Sequence, residues 1–266
     1  MTLGTVITLG NANFSNQGLP NIFPYIRKEN LSYAYDFRYG NFSDLVTGED
    51  AKGWLSNFST KTTTSKSPTE ITELSNNGLY IRLAKGAALS TNKPIRDYVV
   101  GASRFSAILI CGLPTNAEGV GQLPSFLDIG NGSGTLAGIP SIEASGLSIG
   151  IRAKPQFNLD ISTPAILGQL YFVALVFDGA NFVFVNKTTG YSETKSLDSL
   201  GITEMTATLS DVDPGKHCLG CNINKTPIHE NDILLGQSAF WDDTSLSFSE
   251  IDQQYALMKQ IYGSLI

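Results

Sequence analysis

Between Leu170 and Val185 the chain carries two apolar runs separated by four turn-forming residues, and few folds accept such a segment. Leu170 to Phe177 is unbroken and rich in β-branched and aromatic residues. Asp178-Gly179-Ala180-Asn181 follows, and Asp-Gly tolerates the positive φ that a tight hairpin needs. Phe182 to Val185 is the second run, closed by Asn186-Lys187-Thr188-Thr189-Gly190. The pattern predicts a β-hairpin. Alternation places Leu170, Phe172, Ala174 and Val176 on one face, and Tyr171, Val173, Leu175 and Phe177 on the other. A strand apolar on both faces is covered on both faces, so the hairpin is expected inside a sandwich rather than at its edge.

The flanking sequence supplies more strands of the same kind. Leu31 to Tyr39 alternates, with Leu31, Tyr33, Tyr35, Phe37 and Tyr39 on one face, which predicts a half-buried strand whose aromatic row is core. Gly40 to Lys66 reads as loop, with Trp54 and Phe58 inside it. Further strands are expected at 78–83, 104–111, 125–129, 146–152, 218–223 and 232–241, separated by Gly, Pro and Asn turns. The end of the chain predicts a helix. Ser247 and Glu250 fit a capping box. Ile251, Tyr255, Met258 and Tyr262 then make an apolar stripe, and Gly263 stands where a C-terminal glycine cap belongs. A helix this short is marginal alone, so it should lie on the sandwich, over the outer face of the hairpin. Residues 1–30 are polar and turn-rich after Thr5 to Leu9 and read as an extended arm, leaving 31–266 as one β-sandwich domain.

Composition narrows the function classes. At 266 residues a single all-β domain is acceptable. Charged residues are 16% of the chain, below the average of about 25%. The surface must then be rich in Asn, Ser, Thr and Gly, which suits an extracellular or virion surface. The net charge is −6, and Arg27-Lys28, the densest basic pair, has Glu29 beside it. Nucleic acid and anionic membrane are therefore not expected partners. The N-terminus lacks the basic start and apolar stretch of a signal peptide, and no apolar run approaches the about 20 residues of a membrane span.

The order of elements resembles the concanavalin A-like lectin/glucanase superfamily, in its laminin-G or pentraxin-like branch. Tyr33-Ala34-Tyr35-Asp36-Phe37 is similar to the opening strand, and Leu170 to Asn186 to the central hairpin, with Lys187 where a Gly is usual. Leu219-Gly220-Cys221-Asn222 resembles the family's leucine-X-glycine strand, and Gly236 to Ile251 its closing strand, turn and helix. The resemblance implies an all-β, two-sheet antiparallel jelly-roll sandwich with one short C-terminal helix. Function does not follow, because sites are grafted onto folds. The polar composition and the arm also look like domains of bacteriophage tail or capsid appendages. Such a module would bind surface glycan, or other virion proteins through its arm. It would work as a homo-oligomer or within a larger assembly.

The residues argue against catalysis. Family hydrolases carry Glu-X-Asp-X-X-Glu or Glu-X-Asp-X-Glu on one strand; the nearest sequence, Glu250-Ile251-Asp252-Gln253-Gln254, lacks the last Glu and falls in the expected first helical turn, where acids suit the dipole. His217-Cys218-Leu219-Gly220-Cys221, with His229 downstream, has one C-x₂-C without a second pair, and buried thiols explain it better than zinc. Asp211-Val212-Asp213-Pro214-Gly215 offers loop oxygens that leave calcium open, although a proline-glycine turn with solvated acids is the simpler reading. No other cofactor is expected. Sugar binding calls for an exposed aromatic ring beside hydrogen-bonding side chains. Trp54, with Asn57 nearby, is the candidate; Trp241 is expected to pack under the helix.

Overall fold

The computed structural model describes residues 24–57, 62–75, 77–117, 125–130, 141–144, 146–153, 159–205, 216–220 and 232–266. Among these the chain runs β1 (Leu31–Asp36), β2 (Lys52–Asn57), β3 (Thr62–Lys66), β4 (Thr72–Leu74), β5 (Ile81–Leu83), β6 (Ala87–Pro94) and β7 (Phe105–Gly112). Then come β8 (Ser125–Leu127), β9 (Ser141–Ala144), β10 (Ser148–Ala153) and β11 (Leu159–Pro164). β12 (Leu170–Phe177), β13 (Asn181–Asn186) and β14 (Tyr191–Ser196) follow, with the one-turn helix α1 (Leu197–Leu200). β15 (Lys216–Leu219), β16 (Ile233–Asp242) and the helix α2 (Phe248–Tyr262) complete the chain.

The first layer is an eight-stranded antiparallel sheet in the order β14-β13-β12-β7-β16-β5-β4, with β1 paired to β16 as well. The hairpin predicted from Leu170 to Asn186 is β12 and β13, pairing Val173 with Asn186 through Phe177 with Phe182. Its turn is held by Asp178, whose Oδ1 accepts from the backbone N–H groups of Ala180 (2.8 Å) and Asn181 (2.7 Å). Gly179 between them has φ +99°, which only glycine adopts cheaply. Both faces are covered as expected. Tyr171, Val173, Leu175 and Phe177 enter the core between the layers. Leu170, Phe172, Ala174 and Val176 enter a second core beneath α2.

The second layer is split into two four-stranded antiparallel sheets, β11-β10-β9-β8 and β15-β6-β2-β3. Among the described residues one bridge joins them: the Asp128 N–H donates to Cys218 O (2.8 Å) and the Cys218 N–H to Asp128 O (2.9 Å). Both halves face the first layer across one core. Ala87, Leu89, Phe126, Ile142, Ile151, Ile161 and Leu219 meet Tyr33, Phe105, Phe177 and Phe240 there. Antiparallel sheets packed as a sandwich with one C-terminal helix is the expected architecture.

Two local expectations change. The segment read as loop, 40–66, contains β2 and β3. Its polar Thr and Ser residues belong to strands with an open outer face, where alternation is weak because side chains such as Thr62, Thr64 and Ser65 face water. The strand read as Leu31 to Tyr39 stops at Asp36. A bulge between Leu31 and Tyr33 moves Leu31 to the helix-covered core, and Tyr39 leaves the row altogether. The helix follows its capping box closely: Ser247 Oγ accepts from the Glu250 N–H (3.3 Å) and Glu250 Oε2 from the Ser247 N–H (2.8 Å). Ile251, Met258 and Tyr262 are buried on the sheet, and Phe172 meets Tyr255 edge-on at 5.4 Å. Trp241 is buried under the helix.

The end of the segment read as an arm is tied to this helix. Tyr25 is buried against Trp241, the Ile26 N–H donates to Gln254 Oε1 (2.9 Å), and Gln254 Nε2 donates to Pro24 O (2.8 Å). Arg27 pairs with Glu250 at 2.7 Å. Residues 1–23 lie outside the described residues.

Candidate functional site

Trp54 sits in the middle of β2, not in a loop. Strand alternation turns it to the outer face of the half-layer β15-β6-β2-β3, while its neighbour Leu55 packs against the core. It lies opposite Ser65 on β3 and Ala88 on β6. One side of the indole rests on Ala88, Ile95 and Cys218, and the ring is half-buried. Its Nε1–H donates to Ser90 Oγ at 2.9 Å, which sets the orientation of the ring. Around it, Lys52 and Ser65 are exposed, and Ser56 shares a hydrogen bond with Thr63 (3.1 Å). The result is a fixed aromatic surface bordered by hydroxyls and one ammonium group. Such a surface can stack on the apolar side of a ring and bond its rim.

Asn57 closes β2 opposite Thr62, and its side chain falls outside what is described. Asp211 and Asp213, the calcium candidates, also lie outside the described residues, as do Cys221 and His229. His217 and Cys218 are placed. Cys218 is buried beside Trp54 on the outer side of β15. His217 is fully buried on the inner side, edge-on to Phe240 at 4.7 Å and to Tyr33 at 5.8 Å. Among the described residues, neither of its ring nitrogens has a hydrogen-bond partner. Burial, and then the nearby Lys93 and Arg96, hold its pKa well below the usual imidazole value. Its neighbours are aromatic rings and cations, which make no metal site. Among the described residues, no group of three or more His, Cys, Asp or Glu side chains could hold a metal ion.

The buried carboxylates are committed to structure. Asp44 accepts from the backbone N–H groups of Ala34 (2.8 Å) and Val46 (3.1 Å). Asp36 pairs with Arg38. Asp128 accepts from the Gly130 N–H (3.0 Å), and Glu143 lies 3.8 Å from Arg152. Glu250 is taken up by the helix cap and by Arg27. Its carboxyl is partly desolvated, and hydrogen bonds from Ser247 and Arg27 hold its pKa below the usual value. Glu250 thus serves the helix start, as expected, whereas Asp252 pairs with Lys187 in the turn after β13 at 2.6 Å.

No family model matches the chain, and no curated protein matches it by sequence. Solved structures do match. The botulinum neurotoxin serotype D binding domain superposes with a TM-score of 0.54 at 9% identity, covering 87% of this chain and 51% of that one. The binding domain of botulinum neurotoxin DC, in complex with rat synaptotagmin II, gives 0.51 at 12% identity, covering 86% of this chain and 52% of its own. A Trypanosoma rangeli sialidase in complex with sialic acid gives 0.52 at 11% identity, covering 89% of this chain and 34% of that protein. The likeness is one of fold. It places this β-sandwich beside the two toxin binding domains and about a third of the sialidase.

Sequence reasoning missed a polar groove at the free edge of the first layer. It brings together Glu73, Tyr80, Arg82, Thr115 and Leu234, which are scattered over more than half the chain. Only Tyr80-Ile81-Arg82-Leu83 gave a local sign, because its alternation sets two polar-tipped side chains on one face. Close by, Tyr39 is 70% exposed at φ +57°, its ring resting on Gly78, where a Cβ would fall 2.7 Å from the ring.

Proposed function

We propose that the chain is a non-catalytic binding module whose ligand is a surface glycan held on the outer face of β2. The observation that carries this is the half-exposed Trp54 indole, fixed by Ser90 and bordered by Ser65 and Lys52. A ring already oriented loses little freedom on stacking against a sugar. The placement of the buried acids in caps and ion pairs supports binding without hydrolysis. The low charge and Asn, Ser, Thr and Gly richness support display on a virion appendage or another extracellular assembly. The N-terminal arm would be the contact with that assembly, anchored at its end by Tyr25 and Arg27.

A second reading keeps the fold and exchanges the ligand for protein. Its support is that one similar domain is solved with a protein, rat synaptotagmin II. A glycan array probed with the full chain separates the two. The glycan reading expects binding to a discrete set of polysaccharides, weakened about tenfold or more by Trp54→Ala. Absence of any glycan signal, with a protein captured through the arm, favours the second. Release of reducing sugar from bound glycan would overturn the non-catalytic assignment. The proposal includes no cofactor; calcium at Asp211 and Asp213 would reveal itself as glycan binding abolished by chelation.

A further inference from the structure

The helix α2 covers the outer face of the first layer over β12, β7 and β16, and leaves the β4 edge open. There the register sets Glu73 opposite Arg82, and Arg82 opposite Leu234, in one row across β4, β5 and β16. Tyr80, two residues before Arg82, shares that face. Pro114 and Thr115, in the loop after β7, form the opposite wall, and the enclosed volume is about 310 Å³. This lies at the lower end of the range for small-molecule sites.

The chemistry of the groove is specific. Arg82 is fastened rather than loose: its guanidinium pairs with Asp232 at 2.6 Å, and Nη2 donates to Asn116 Oδ1 at 3.0 Å. Asp232 is itself fixed by the Lys85 N–H at 2.7 Å. Among the described residues, the Glu73 carboxylate and the Tyr80 hydroxyl make no hydrogen bond, so both are available to a ligand. The local charge is two carboxylates against one guanidinium, which opposes an anionic guest. The surfaces left are a half-buried tyrosine ring, an apolar floor of Leu234 and Pro114, a bidentate acceptor and the Thr115 hydroxyl. A neutral pyranose matches each of them. Its apolar C–H side would lie on Tyr80 and Leu234, and two adjacent hydroxyls would donate to Glu73.

We propose that this edge groove is a binding site for a neutral hexose unit, separate from the Trp54 face and on the other layer. The test is saturation-transfer NMR on the full chain with the methyl glycosides of D-glucose, D-galactose and D-mannose, and with N-acetylneuraminic acid as the anionic arm. At least one neutral glycoside should bind, with transfer strongest at its C–H side. Tyr80→Ala and Glu73→Gln should each weaken it about tenfold, Tyr80→Phe less, and Trp54→Ala should leave it unchanged. Because Glu73 is exposed on an edge strand, Glu73→Gln decides the matter even if Tyr80→Ala does not fold. Three results would overturn the proposal: no binding by any of the neutral glycosides, binding that survives Glu73→Gln, or preferential binding of N-acetylneuraminic acid. A glycoside lost only in Trp54→Ala would sink the groove while supporting the β2 face; one lost only in the groove variants supports the groove and leaves the β2 face to the glycan array.

Discussion

The two layers of the sandwich treat their outer faces in opposite ways. The outer face of the first layer is dry over most of its width, with Ile108, Ile110, Phe172, Val176 and Trp241 buried under Ile251, Met258 and Tyr262. Among the described residues, no helix lies on the outer face of the second layer. That face carries an ion network, Glu143–Arg152–Asp160, on one half, and Trp54 among hydroxyls on the other. The first layer is the frame, since its strands are held from both sides. The second layer has room for side chains that face a ligand where its outer face is open, as at Lys52, Trp54 and Ser65. The groove at the β4 edge follows the same rule: it opens where the helix stops covering the frame.

The sharpest way to break this comparison is to truncate matched outer-face positions and measure unfolding. Phe172→Ala, under the helix, should cost about 3–5 kcal/mol. A loss below about 1 kcal/mol would mean that α2 merely rests on the sheet.

An effect of intermediate size is expected from the contact between layers. His217, on β15, stands against Phe240 of β16 and Tyr33 of β1, with Lys93 and Arg96 near it and, among the described residues, no partner for either nitrogen. Its folded pKa is depressed, so the unfolded chain binds the proton more readily. Stability is therefore fully present above the ordinary imidazole value of about 6.5 and is lost as pH falls below it. His217→Phe should flatten the stability profile between neutral and mildly acidic pH. It should cost little at neutral pH, because the removed nitrogens had no hydrogen bonds to lose. An unchanged profile would show that other groups control the acid response.

The smallest effect belongs to the exposed face of the second layer. Asp160→Asn breaks the pair with Arg152 at 2.9 Å at a carboxylate that is about half exposed, and leaves Arg152 beside Glu143. It should change stability by about 1 kcal/mol or less, with high salt masking the difference. A larger loss would mean that this face is as structural as the helix-covered one.

The same contrast explains what could be read from the residues alone. β12 and β13 were legible because both faces are apolar and Asp-Gly marks their turn. Helix α2 was legible because Ser247 and Glu250 announce its start. β3, with Thr62, Thr63 and Thr64, was not, since a strand at the edge of an open layer has no apolar face of its own to display. β6 was missed for a related reason: Ala87, Ala88 and Ser90 are small, and they are buried by neighbours far away in the chain. Trp54 was singled out as an aromatic in a polar loop; that it stands in a strand and is tethered to Ser90 depends on the pairing of β2 with β6, which the residues alone do not display. The groove was invisible because Glu73, Arg82 and Leu234 meet only through sheet register. Gln254 was hidden as well: a polar residue within the helical stripe, it is buried because it satisfies the backbone of Pro24 and Ile26.

Among the described residues the halves of the divided layer are linked only at Asp128 and Cys218, and this bears on how such a molecule can diversify. Among the described residues, each half of the divided layer meets the frame across the core far more widely than it meets the other half. Either half can therefore lengthen, tilt or change its ligand-facing residues without forcing a matching adjustment in its neighbour. The join works as an expansion joint, letting two surfaces be remodelled at different rates on one unchanging support.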